Sequence, residues 1–88
     1  MPSELVLTPV AQTLQRQWAA NIKARRKQLR VSQSVVGART GLPQHTVSRV
    51  ERGKFNPSVE TLMLIAAGLG AEPSQLFPWP TLREAVTA

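Results

Sequence analysis

Gln44, His45, Ser48 and Arg49 fall within six consecutive residues, and each carries a side chain that donates or accepts hydrogen bonds. A helix advances about 100° per residue. With Gln44 at zero, Ser48 lies at about 40°, Arg52 at about 80°, His45 at about 100° and Arg49 at about 140° on that wheel. Pro43, Val47 and Val50 fall on the opposite side, at about 240–300°. One arc is therefore polar and free of carboxylates, and the other is apolar. Glutamine matches the hydrogen-bonding edge of adenine in the major groove, and arginine matches guanine. The arc is suited to reading base edges, and it buries little.

Other chemistries fit these residues less well. His45 is the single histidine, the chain has no cysteine, and no carboxylate stands at ligand spacing within the same helix. A metal site is therefore not expected. There is no Ser/His/acid set, no pair of carboxylates and no phosphate-cradling glycine loop. The chain is not expected to be an enzyme or to need a cofactor.

The charge supports a polyanionic partner. The net charge is +6, but residues 16–54 hold ten cations against the single acid Glu51. Residues 55–88 hold Arg83 against Glu60, Glu72 and Glu84. A basic block this one-sided points to nucleic acid more than to a merely solvated surface. The absence of cysteine suits a reducing cytoplasm. No apolar run is long enough for a membrane span, and Leu5-Val6-Leu7 is too short for a signal-peptide core.

The elements that must position the polar arc are all helical. The 88 residues suit one domain. Residues 1–7 read as a flexible arm. Thr8-Pro9 reads as a helix start, with Thr8 as cap and proline in the first turn. Val10, Leu14, Trp18 and Ile22 recur every four residues, so this first helix is amphipathic and extends to about Leu29. Ser32 caps a second helix, Gln33 to Thr40, which Gly41 ends. A third runs from about Pro43 to Arg52, and Gly53 ends it. Ser58 caps a fourth, which Gly70 ends. Glu72-Pro73 opens a short fifth through Phe77. The expected fold is all-α: a five-helix bundle over residues 8–77, with a C-terminal tail over 78–88. Phe77, Trp79, Leu82 and Val86 are surplus apolar groups in this reading and are candidates for a dimer contact, with Val10 and Leu14 of the long first helix as a second choice.

Gly37 sits inside a helix, where glycine costs about 1 kcal/mol relative to alanine. A close approach by the next element would justify it. Gly41 sits where the chain leaves the helix with positive φ. Val36, Leu42, Val47 and Val50 then form a wedge between two helices at a steep angle, which is a helix-turn-helix over about residues 33–52.

Residues about 19–77 resemble the helix-turn-helix domain of the lambda-type repressors and Cro proteins, the Xre family. The resemblance rests on Ile22, Arg26, Ser32-Gln33 and Gly41. It continues through Thr46-Val47-Ser48-Arg49-Val50-Glu51-Arg52-Gly53, Asn56-Pro57-Ser58, Leu62 and Leu69-Gly70. It implies a lambda-repressor-like bundle that binds double-stranded operator DNA, usually as a homodimer. By position, it implies that Gln44, His45, Ser48 and Arg49 meet base edges. Gln33 would contact a phosphate and brace the third helix, and Arg52 and Lys54 would lie near phosphates. Arg26 and Glu51 would form a partly buried salt bridge, as their places beside the apolar stripes also suggest. Position 37 is usually alanine in the family, position 40 apolar, and position 43 a capping Ser or Thr. Here they are Gly37, Thr40 and Pro43. The expected function is a transcriptional regulator, a repressor of phage, prophage or plasmid type. The alternative is an antitoxin that binds both its operator and a toxin protein.

Overall fold

The computed structural model describes residues 2–53 and 57–78, with side chains for 11–53 and 57–78. It contains α1 (Pro2–Gln28), α2 (Gln33–Thr40), α3 (Gln44–Glu51), α4 (Val59–Gly68) and α5 (Pro73–Leu76). No strand occurs among the described residues. One core joins all five helices. Trp18 and Ile22 enter from α1, Val36 from α2, Val47 and Val50 from α3, and Ile65 and Leu69 from α4. Leu76 and Phe77 close it at α5.

Two starts differ from the sequence expectation. Residues 2–7, expected as an arm, are the first turns of α1. The start signal at Thr8-Pro9 is overridden: helix begins at Pro2, also a proline suited to a first turn. Pro9 then lies within the helix, where it has no N–H for the carbonyl four residues earlier. At 27 residues, α1 is about 40 Å long by a 1.5 Å rise. That length matches the 41 Å long axis of the molecule, whose other extents are 21 and 18 Å. The second difference is α3, which begins at Gln44 after Pro43, and Pro43 supplies no side-chain cap.

Phe77 is a further correction. It is not surplus apolar surface: it is 5% exposed and lies within the core. Its ring meets Trp18 edge-on, with centroids 5.6 Å apart. Two hydrogen bonds hold the chain there. Trp18 Nε1 donates to the Pro78 carbonyl at 3.0 Å, and Asn21 Nδ2 donates to that of Leu76 at 2.8 Å. A buried indole needs a partner for its N–H, and the end of α5 supplies one. Leu14 also packs against the core. Trp79, Leu82, Val86 and the rest of the expected tail beyond Pro78 lie outside the described residues, as does Lys54.

The turn between α2 and α3 is packed backbone to side chain. Thr40 Oγ1 donates to the Val36 carbonyl at 2.8 Å and accepts from the Leu42 N–H at 3.2 Å. A hydroxyl at this position thus closes the turn, which an apolar side chain could not do. Gly41 has φ +77°, the left-handed conformation that glycine adopts without strain. A Cβ added at Gly37 would lie 2.7 Å from the Leu42 carbonyl oxygen. That oxygen is backbone and cannot step aside alone. Gly37→Ala should therefore lower stability by about 1–3 kcal/mol, despite alanine's better helix propensity. Urea denaturation measures it, and a gain in stability would show that α2 and the turn are not in close contact.

Candidate nucleic-acid interface

The third helix is built as a keel and an outer face. Val47 and Val50 are buried, with Val47 wholly inaccessible. Gln44, His45, Arg49 and Arg52 are exposed, and Ser48 is half-buried. The structure thus brings Gln44, His45, Ser48 and Arg49 onto one helix, away from the core.

Gln44 is held from α2. Ser34 Oγ donates to Gln44 Oε1 at 3.0 Å. This contact leaves the amide nitrogen as donor and the second lone pair of Oε1 as acceptor, the two functions a bidentate contact to adenine uses. The sequence reading did not single out Ser34. No local pattern pairs residues 34 and 44; only the turn geometry does.

Behind α3 lies a charged joint. Arg26 Nε donates to Glu51 Oε2 at 2.7 Å, and Arg26 Nη2 donates to Glu51 Oε1 at 3.0 Å. Arg26 Nη1 reaches the Val31 carbonyl at 3.1 Å. Gln33 Nε2 also donates to Glu51 Oε1, at 3.2 Å. The Glu51 side chain is 3% exposed and that of Arg26 13%. The hydrogen bond to Glu51 raises the Arg26 guanidinium above its ordinary value. Burial pulls it down, and the charge of Glu51 adds to the rise. Gln33 therefore braces α3 through the carboxylate of Glu51, which the residue types alone did not reveal.

Other cations are spent on the fold. Arg25 Nε donates to the Leu69 carbonyl at 3.1 Å, and Arg39 Nη1 donates to that of Gly68 at 3.2 Å. Both neutralise the negative end of α4. The exposed cations Arg16, Lys23, Lys27, Arg30, Arg49 and Arg52 come from α1, the α1–α2 link, α3 and its C-cap. Between residues 57 and 78 there is no Lys or Arg, only Glu60 and Glu72. No group of three metal-ligating side chains occurs among the described residues. No helix among them is long and apolar enough to cross a membrane.

Residues 22–76 match the helix-turn-helix family. The chain belongs to the Xre-type helix-turn-helix family. Members of this family are DNA-binding transcriptional regulators, not enzymes. A curated relative, an HTH-type transcriptional regulator of Haemophilus influenzae, is 40% identical over 45 residues. Those residues are 51% of this chain and 46% of the relative, so the chain spans about half the relative's length. Two solved structures are similar. One is the restriction-modification controller protein C.AhdI from Aeromonas hydrophila, with TM-score 0.69 and 28% identity, covering 72% of this chain and 96% of that one. The other is the hypothetical transcription factor NHTF from Neisseria, with TM-score 0.72 and 31% identity, covering 84% and 85%.

In this Xre-type domain, Glu51 is the joint that fixes how α3 sits. Glu51→Ala should cost about 3 kcal/mol, because it leaves the Arg26 charge without its partner. Combining it with Arg26→Met should recover part of the loss. Thermal denaturation of the four-member cycle measures this, and additive losses would show that the two residues do not interact.

Proposed function

We propose that this chain is a sequence-specific transcriptional regulator that binds double-stranded operator DNA in the cytoplasm. It acts as a repressor, as a homodimer on an inverted repeat. The observation that carries this reading is α3: its Val47–Val50 keel is buried while Gln44, His45 and Arg49 face solvent. A helix whose polar face makes no contribution to the core, set in a basic half of the molecule, fits the major groove. The restriction-modification role of C.AhdI falls within the same kind of gene control.

In this reading Gln44, His45, Ser48 and Arg49 contact base edges. Gln33, Arg52 and Lys54 contact phosphates and hold the register. One recognition helix reads only a few base pairs, so two copies serve specificity. Half-sites should lie about 10–10.5 base pairs apart, centre to centre.

Selection of bound sequences from random duplexes identifies the operator, and salt titration then tests the mode of binding. A dimer neutralising about six phosphates gives a log–log salt slope near −5. A slope near zero would remove the DNA-binding reading. Arg49→Ala should cost about 1–3 kcal/mol on the selected site and relax preference at one base pair. Arg52→Ala should weaken binding to all sequences alike. If Arg52→Ala altered the preference and Arg49→Ala did not, the docking of α3 would be wrong.

A further inference from the structure

The fourth helix carries more apolar surface than the core takes up. Ile65, Ala66 and Leu69 at its inner side are buried. Its outer arc holds Val59 at 75% exposure, Met63 at 53% and the exposed Ala67. Half-buried Leu64 flanks this arc, and Glu60 is the one charged residue of the helix. A helix apolar nearly all round is normally covered on all sides. Here one side is open. We propose that this outer face of α4 is where a second copy of the chain docks, with the two α4 helices antiparallel about a two-fold axis near Met63 and Leu64. This rests on the dimeric reading above and assigns the surface that serves it.

Charge selects the occupant and the direction. A pairing through α1 would oppose the exposed cations Arg16, Lys23 and Lys27 of two copies. The stretch from 57 to 78 has no cation, so two copies can meet there without that repulsion. An antiparallel two-fold pairing centred near residue 64 sets Glu60 of one copy opposite Gly68 of the other. The Gly68 carbonyl is held by exposed Arg39. Each Glu60 therefore meets the guanidinium at the far end of the other α4, and the symmetry makes the match twice. Met63 lies near the axis and packs against its own copy. The C₂ arrangement needs such a self-complementary patch. The face also leaves α3 uncovered, since α4 packs on α2 and α5.

Sedimentation velocity on the full chain without DNA, across a range of concentrations, tests the assignment. Met63→Glu places like charges at the axis and should weaken self-association at least tenfold. Met63 is half exposed, so the monomer fold should persist, as circular dichroism will show. Glu60→Arg alone should weaken association roughly two- to five-fold. Combined with Arg39→Glu it should recover, a rescue that mere loss of an α4 cap would not give. A wild-type dimer indifferent to Met63→Glu, or an unrescued charge swap, overturns this assignment and leaves the dimeric reading standing. A wild-type chain that stays monomeric both free and on a two-half-site duplex overturns the dimeric reading, and with it this use of α4; the face would then await a different protein.

Discussion

Everything the outer face of α3 can do depends on one buried carboxylate. Glu51 receives Arg26 from α1 and Gln33 from α2, and it belongs to α3 itself. Three helices thus share a single anion. Burying an ion pair gains little net stability, because desolvation offsets much of the attraction. What the pair does supply is direction. The two N–H groups of Arg26 fix the carboxylate plane, and its third nitrogen fixes the Val31 carbonyl in the link to α2. Apolar packing at Val47 and Val50 holds α3 down. The charged joint decides how far it is rotated and slid.

The turn adds the second constraint. Thr40, Gly37 and Leu42 lock the α2–α3 corner through backbone atoms, so the angle between the helices does not rely on long side chains. The same Thr40 sets a demand on α4. A Cβ at Gly68 would stand 2.6 Å from the Thr40 methyl group. The corner that aims α3 therefore also fixes how near α4 can lie. Arg39 then bonds the Gly68 carbonyl from the same side. Reading face and α4 face are coupled through one short segment of chain.

The sequence disclosed the parts of this arrangement that follow from periodicity and local chemistry. The bounds of α2 came from Ser32 and Gly41, and the keel and outer arc of α3 came from the placing of Val47 and Val50. Ser58 marked the start of α4, where its hydroxyl accepts the Thr61 N–H at 3.1 Å. What stayed hidden depends on contacts distant in sequence. Phe77 read as surplus because nothing in its neighbourhood announces Trp18, 59 positions earlier. Ser34 and Gln44 meet only because the turn folds α3 back onto α2. Arg25 and Arg39 looked like the rest of the basic block, yet both are spent on the end of α4. The start of α1 was misplaced because Pro2 and Pro9 give the same local signal.

Arg30 shows how cations and fold compete in a chain this small. It has φ +58°, the one positive value outside glycine among the described residues. The Val31 N–H returns to the Arg26 carbonyl at 3.3 Å, and the Arg30 N–H to that of Lys27 at 3.0 Å. This is the helix ending at which glycine normally stands, and a larger side chain there is strained by about 1 kcal/mol or more. The chain uses glycine at the equivalent places after α2 and α4, Gly41 and Gly70. Stability alone would favour glycine at 30 as well. An exposed cation sits there instead, two residues before the Ser32 cap that begins the helix-turn-helix. The strain is tolerated on the side of the molecule where the other exposed cations lie. By contrast, the helix ending at Gly70, in the stretch without cations, follows the less strained choice. The distribution of strain thus parallels the distribution of charge, as expected if the basic half answers to an external polyanion and the other half answers only to packing.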